Sequence, residues 1–550
     1  MGHEVNIHSI QALEKQIEEG KGDVIKLKRA RNSLLNISTR IPPEILGYIF
    51  VHGAVRERNH PVYSSSHFDG PQKGSYNFLL VCHHWLEVAF HTPELWSFWG
   101  NTWQDWNRRC RRSGAAPIDL VLDGETADDS AVHGPLQDAL KDRSTQDKIR
   151  KIHIRECDTE LLASIISSLT PGGEDTREKC IESIILREIS AGKEVSDFFT
   201  RLRLPNLRYL DIEGYLRTPL WDHLASQTTR LTTLSLQFYP LLSHTPTTPQ
   251  LISVLASNPN LQELTLGGEG LPGDVDGPGF RAPLRHLKTI SLDGELRRVL
   301  GLLHSLELPA ALDSMSLDAR GPTVEVVLQT LGPYVQDRFR RDTRFQDRLG
   351  ISTSFQGHVV IWTSLVDDPC SQTLLPVRKP PFMNFTVSLD NPHVPPYRVM
   401  EKLHLDLMAF TPREHVVCFK TECRRNIPEE LFVTMPNIEM LWLDDVVLSK
   451  GFLQPAPDGP HANTKLLPSL RYLLLDDVTL DNNDWNHLTT YLAHQTSDNQ
   501  AISLKVYSRS VGMCPEMMDK IKDLVGEFVH RTIPESEDED EDGGEDEDGL

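Results

Sequence analysis

The feature that most constrains this chain is a short apolar phrase, Leu-x-x-Leu-x-Leu, which returns along most of its length. Clear copies begin at Leu207, Leu231, Leu261, Leu287, Leu312, Ile438 and Leu470, and weaker ones at Ile149, Ile181 and Leu403. From Ile184 to Met315, the second apolar positions of successive copies are 26, 24, 30, 26 and 25 residues apart. A period of this length is typical of stacked strand-and-return units.

Each copy of the phrase predicts one short strand, because alternate apolar side chains point to the same side of a strand. Stacking of the copies predicts a parallel sheet with a helix or an irregular return behind each strand. The fold class is therefore α/β, over residues 118–530. The alternative is an ordinary α/β domain whose strands happen to be rich in leucine.

Residues 319–399 fit the phrase poorly and predict an irregular insertion between two blocks of repeats. Strands are expected at 358–362 and 385–389, and proline-rich stretches at 376–381 and 392–396 indicate loops.

The N-terminal part of the chain has a different pattern and predicts helices. Residues 8–36 carry apolar side chains at helical intervals, either as a helix packed on its neighbour or as a short coiled coil. A second helix is expected at 41–50, where prolines suit the first turn, and a third at 78–90. The polar stretch 56–77 between them indicates a loop.

These N-terminal segments resemble the F-box, in the form common in fungal proteins. The resemblance rests on three pieces in order: Pro-x-Glu-Ile-Leu-x-x-Ile-Phe ending at Phe50, Val-Cys-x-x-Trp from Val81, and Pro-x-Leu-Trp from Pro93. The spacer from Phe50 to Val81 is longer than in the family and lacks its Leu-x-x-x-Asp-Leu turn. The repeats are similar to leucine-rich repeats, so the domain order is N-terminal helix 1–37, F-box-like module 38–100, linker 101–117, and a leucine-rich-repeat-like solenoid.

The resemblance implies a substrate-recognition adaptor of an SCF-type (Skp–cullin–F-box) ubiquitin ligase, with the Skp-type adaptor and the cullin core as partners. By analogy, the docking surface or the core beneath it would include Pro43, Ile45, Leu46, Ile49, Phe50, Val81, Cys82 and Trp85. The alternatives are a scaffold that acts outside ubiquitin transfer and a plain repeat-type interaction protein whose acidic tail binds basic proteins.

The strand residues that alternate with the core positions would hold a protein substrate. In the first strands these residues are basic: Lys151, His153, Arg155 and Arg187. In later strands they are acidic or aromatic: Tyr209, Asp211, Glu213, Glu263, Asp293, Asp318, Asp406, Trp442, Asp444, Tyr472 and Asp476. The pattern favours a substrate with a basic segment, and Trp442 is the expected hot spot. Alternatively, each Asp only hydrogen-bonds the turn that follows its strand.

Charge and composition exclude several classes of function. The net charge is −22, and eleven carboxylates without a base follow from Glu535, which predicts a disordered tail at 534–550. A chain this acidic does not suit a nucleic-acid phosphate backbone. Eight scattered cysteines, no secretory signal and no long apolar segment predict a cytoplasmic or nuclear protein. We expect no catalytic site, no cofactor and no zinc at His83–His84 or around His415 and Cys418.

Overall fold

In a computed structural model the chain divides into two compact units, Met1–His286 and Leu287–Leu550. The described residues are 41–58, 81–100, 111–123, 130–155, 159–169, 179–189, 199, 201–215, 221–239, 245–268, 270–272, 281–321, 323–346, 349–355, 359–365, 383–389, 406–422, 432–444, 467–478, 480, 482–496, 502–508 and 515–532, with a few positions between 12 and 30. The predicted helix at 8–36 lies largely outside these ranges. The strand copy at 403–405 and the tail at 534–550 lie wholly outside them.

Unit 1 begins with a helical module. Its elements are α1 (Pro43–Arg58), α2 (His83–Phe90), a 3-10 turn (Pro93–Trp96) and the short strand β1 (Phe98–Gly100). Helix α1 runs past the expected end at residue 50 and into the stretch that was predicted to be a loop. Helix α2 begins only at His83. The sequence pattern had placed Val81 and Cys82 on this helix, at 78–90, and that placement is wrong, because both residues precede it.

The rest of unit 1 alternates strands with helices. The strands are β2 (Ile118–Asp123), β3 (Ile149–Arg155), β4 (Ser183–Ile189), β5 (Tyr209–Gly214), β6 (Thr233–Phe238) and β7 (Glu263–Gly268). The helices are α3 (Ser130–Lys141), α4 (Arg143–Gln146), α5 (Thr159–Leu169), α6 (Trp221–Gln227) and α7 (Thr248–Ser257). Strands β1 to β7 pair in chain order and all in parallel. This confirms the α/β class and the parallel strands.

Alternation along each strand places one row of side chains in the core. In β3, Ile149, Ile152 and Ile154 are buried, and Lys151 and His153 between them are only partly covered. The core residues are the apolar positions of the phrase, as the period-two geometry of a strand requires.

A buried amide closes one of the turns between repeats. Asn258, which follows α7, is 1% exposed and its Oδ1 accepts the backbone N–H of Leu231 at 3.0 Å. Its Nδ2 donates to the carbonyl of Val254 at 2.8 Å and to Thr228 Oγ1 at 3.2 Å. The side chain thus satisfies backbone groups of two successive repeats, which would otherwise be buried without a partner.

Unit 2 also alternates strands and helices. The strands are β8 (Thr289–Glu295), β9 (Ser314–Gly321), β10 (Leu349–Phe355), β11 (Val359–Leu365), β12 (Met383–Leu389), β13 (Val416–Glu422), β14 (Met440–Asp444), β15 (Tyr472–Val478), β16 (Ser503–Ser508) and β17 (Glu527–Thr532). The helices are α8 (Leu296–His304), α9 (Val324–Arg341), α10 (Asn482–Thr496) and α11 (Pro515–Leu524), with 3-10 turns at Thr343–Gln346 and Arg413–His415. Each unit also contains one two-residue strand, which is Ala282–Pro283 in unit 1 and Leu306–Glu307 in unit 2.

The predicted insertion at 319–399 contributes strands to the sheet. Both expected strands are present, as β11 and β12, and β10 adds a third. The order across the sheet is β8, β9, β12, β11, β10, β13, and then β14 to β17 in chain order. Strand β11 is antiparallel to both of its neighbours. The insertion is therefore irregular in direction and continuous with the sheet in hydrogen bonding.

Helix α9 anchors the start of this insertion to the loop before β9. Arg338 is 4% exposed, and its guanidinium donates to the carbonyls of Pro309 at 2.9 Å and Ala310 at 3.1 Å. Asp342, 2% exposed, pairs with Arg344 at 2.8 Å.

Among the described helices, none is long and apolar enough to cross a membrane.

Replacement of Asn258 by alanine should destabilise unit 1 by about 2 kcal/mol, because the Leu231 N–H and the Val254 carbonyl each lose a buried partner. The urea midpoint of unfolding and the hydrogen exchange of the Leu231 amide would measure the loss. Asn206→Ala is the control, since Asn206 contacts Arg230 at the surface at 3.3 Å and should change stability by less than about 0.5 kcal/mol. Equal effects of the two substitutions would contradict this role of Asn258.

Candidate functional site

The helical module has a small core of its own. Leu46 and Phe50 of α1, Val88 and Ala89 of α2, and Leu95 and Trp96 of the 3-10 turn are buried together. The rings of Phe50 and Trp85 lie 5.1 Å apart, and the Trp96 indole donates to the carbonyl of Ala89 at 2.8 Å. One face of α1 is therefore buried in the core of the module.

A second face of α1 carries apolar side chains that remain about half exposed or more. Ile45 is 53% exposed and Ile49 is 49% exposed. Tyr48, which the sequence analysis missed, is 68% exposed, although its position three residues after Ile45 places it on the same helical face. We call Ile45, Tyr48 and Ile49 the α1 patch.

The eight residues predicted for adaptor binding divide into three groups. Pro43, Ile45, Ile49 and Val81 are exposed, Cys82 and Trp85 are half-buried, and Leu46 and Phe50 are buried. Leu46 and Phe50 belong to the core of the module, so neither side chain is available to contact a partner.

A groove of about 630 Å³ lies beside the α1 patch, between α1 and the loop that follows α2. Tyr48, Val51 and Val88 supply its apolar lining, with Glu44 and Glu94 at the same groove. Gly47 lets α1 lie close to the loop that follows α2, because a Cβ at this position would come within 2.8 Å of Thr92 Oγ1.

The strand residues that alternate with the core form the second face of each sheet, which we call the open face, although Trp442 and Leu474 on that face of unit 2 are buried. In unit 1 the open face includes Lys151, His153 and Arg155 of β3, Arg187 of β4, and Tyr209, Asp211 and Glu213 of β5. The predicted basic and acidic groups therefore lie on the same face, as the alternation required.

Ion pairs link side chains of adjacent strands in unit 1. Arg187 donates two hydrogen bonds to one carboxylate oxygen of Asp211, at 2.8 and 3.1 Å, and Arg155 pairs with Glu188 at 3.0 Å. Asp211 is only 4% exposed. The carboxylate of Asp211 is thus buried and already paired with Arg187, so it is not accessible to a substrate.

Glu213 has a partner that the sequence did not reveal. The Tyr239 hydroxyl donates to Glu213 Oε1 at 2.6 Å, and the rings of Tyr239 and Tyr215 lie 5.3 Å apart. This hydrogen bond, followed by burial, raises the pKa of Tyr239 to about 12. Repeat spacing gives a signal for this contact, because Glu213 and Tyr239 are 26 residues apart, one repeat length.

The open face of unit 2 holds the predicted Trp442, Asp444, Tyr472 and Asp476 on two adjacent strands. Lys420 of β13, which the prediction omitted, lies with its Nζ 3.9 Å from the centroid of the Trp442 ring and 2.8 Å from Asp444 Oδ2. Burial, followed by the neighbouring charge of Asp444, raises the pKa of Asp476.

Two other predicted substrate residues do not lie on the strands that carry Trp442 and Tyr472. Asp293 is exposed on β8, where it pairs in register with Asp318 of β9. Asp406 lies in a helical turn at 406–408, and the strand expected just before it, at 403–405, lies outside the described residues, so its assignment to the open face stays a prediction. Across the described ranges, no three His, Cys, Asp or Glu side chains come close enough together to hold a metal ion.

No protein-family model matches this chain, and no curated protein matches it either.

His153 should remain neutral in the folded protein over the mildly acidic range. Burial, followed by the charges of Lys151, Arg187 and Arg155, lowers its pKa from 6.5 to about 4. Because the folded pKa is depressed, the stability that this group contributes is complete above about pH 6.5 and is lost as the pH falls toward about 4. Urea midpoints at about pH 7 and pH 5 should therefore differ more in the wild type than in His153→Gln. An imidazole resonance of His153 that titrates near its ordinary pKa would refute this.

Proposed function

We propose that this chain is the substrate-recognition adaptor of an SCF-type ubiquitin ligase. It would bind the Skp-type adaptor through an F-box-like helical module, and a protein substrate through a leucine-rich-repeat-like array. The observation that carries the proposal is the α1 patch. Its side chains stay exposed on a helix whose other face is already packed into a core.

An exposed apolar face on a short, otherwise satisfied module favours a partner that supplies the missing cover. Ile45, Tyr48 and Ile49 stand at helical positions i, i+3 and i+4, which is the spacing of a helix that docks into a groove or against another helix. The resemblance of residues 41–50 and 78–96 to the F-box supplies the identity of that partner.

The sheets support the second half of the proposal. Parallel strands repeat at nearly constant spacing and leave an open face of polar, charged and aromatic side chains. Protein-binding repeats commonly use such an extended face. On the open face of unit 1, Asp211 is buried and paired with Arg187, whereas Asp476 of unit 2 stays partly exposed, which favours unit 2 as the place for the substrate.

The proposal predicts that Ile45→Asp with Ile49→Asp weakens binding of a purified Skp-type adaptor by roughly a hundredfold or more, because each change places a charge in a desolvated contact. Calorimetric titration would measure the affinity. Both positions are exposed, so the melting temperature should stay within a few degrees of the wild type. Leu46 is 1% exposed, and its substitution would test folding of the module and not docking.

The matched control is Ala163→Asp with Thr229→Asp, which adds the same charge at two exposed positions of unit 1 away from the module. This variant should bind the adaptor as the wild type does. Normal adaptor binding by a folded Ile45/Ile49 variant would refute the docking surface. Recovery of the adaptor without the cullin core would favour the scaffold alternative over ubiquitin transfer.

A further inference from the structure

Four strands of unit 2 align two rows of side chains on its open face. Lys420, Trp442, Leu474 and Lys505 are register partners on β13, β14, β15 and β16. Two residues further along, Asp444 and Asp476 are partners on β14 and β15. A row with an aromatic ring and two lysines therefore borders a pair of acids.

Trp442 is unusually well buried for a residue on an open face. Only 8% of it is exposed, and its indole N–H is buried without a hydrogen-bond partner in the described part of the chain. Lys420 covers it, with Nζ at 3.9 Å from the ring centroid, within the range of a cation–π contact. The indole face is thus already a binding surface for a cation, and a side chain of the same sheet occupies it.

The charges around that cation do not balance. Lys420 Nζ pairs with Asp444 at 2.8 Å, and Asp476 stands beside Asp444 on the next strand, where neighbouring strands are about 4.8 Å apart. Burial, followed by the charge of Asp444, raises the pKa of Asp476, while Lys420 lowers it, as expected where two carboxylates lie near one ammonium. The two carboxylates therefore carry more negative charge than the Lys420 ammonium neutralises, so the site favours a second cation or one that can pair with both acids.

We propose that Trp442, Asp444 and Asp476 form a recognition site for an arginine side chain of a protein partner, and that Lys420 occupies this site until the arginine displaces it. The inference rests on the proposed function in taking this partner to be the ligase substrate. Lys420 then acts as an internal competitor that sets how tightly a substrate must bind.

Arginine suits the site better than lysine does. A guanidinium is planar, so it stacks on an indole, and it presents several N–H donors in a fork that two adjacent carboxylate groups can accept. The ammonium of Lys420 is a point charge that reaches Asp444 and the ring. An arginine that replaces it gains the additional donors for Asp476.

The test measures binding of a fluorescein-labelled peptide of alternating arginine and serine to the full chain by fluorescence anisotropy. Lys420→Ala should tighten binding roughly tenfold, because the competitor and its cover over Trp442 are removed. Lys505→Ala is the matched control. It removes the same charge from the same row on β16, and should change the affinity by less than about twofold.

Two further variants test the ring and the acid. In the Lys420→Ala background, Trp442→Leu keeps an apolar side chain but loses the aromatic face, and Asp476→Asn keeps the shape but loses the charge. Each should reverse most of the tightening, while circular dichroism and the melting temperature confirm that the sheet is intact. A peptide of alternating lysine and serine should bind more weakly than the arginine peptide, and a glutamate peptide should not bind.

Equal tightening by Lys420→Ala and Lys505→Ala would overturn the proposal, because general electrostatics would then explain the effect. Unchanged binding in a folded Trp442→Leu variant would overturn it as well, and so would equal affinities for the lysine and arginine peptides. These measurements use no ligase component. Failure here with normal adaptor binding would remove only this site, whereas success here without adaptor binding would remove the ligase role and keep the site.

Discussion

The structure depends on the need of every short strand to have one row of its side chains buried by the strands beside it. Leu210 and Ile212 of β5 are shielded partly by Leu234 and Leu236 of β6, and no single repeat could bury such a pair alone. Each buried leucine or isoleucine contributes about 1.5–3 kcal/mol relative to its exposed state. Parallel register follows from this need, since only aligned strands bring the same positions of each repeat together. The other face of the sheet is then left for polar and charged side chains.

The sequence predicts the strands that carry the apolar phrase well, because burial and the phrase have the same cause. It fails where pairing is not local. Nothing in the text of residues 349–389 indicates that β11 runs antiparallel, or that β12 and not β10 lies beside β9. That arrangement is set by contacts between residues far apart in the chain, which have no short-range pattern.

The candidate sites show the same division. The apolar positions of α1 are evident from sequence, but Ile45 and Leu46 are adjacent, and only packing makes one exposed and the other buried. Asp211 and Asp476 have similar sequence contexts, within or just after an apolar strand. Arg187, one repeat earlier, satisfies Asp211, whereas Asp476 shares the surroundings of Lys420 with Asp444. The partner of a strand residue lies one repeat away, so its identity depends on a register that the sequence gives only approximately.

The reversed strand in unit 2 has a consequence for how that unit folds. In a run of parallel repeats each new strand can pair as soon as its own repeat is complete, so structure spreads along the chain in short steps. Strands β9 and β10 are exceptions, because their partners β12 and β13 each lie 68 residues further on, as the register pairs Ser316–Asn384 and Gly350–Cys418 show. The longer closure adds little to the equilibrium cost, since loop entropy grows only with the logarithm of length. It does delay the contact, so we expect unit 2 to fold in two stages that meet at β11, with the edge of β9 unpaired between them and open to another chain.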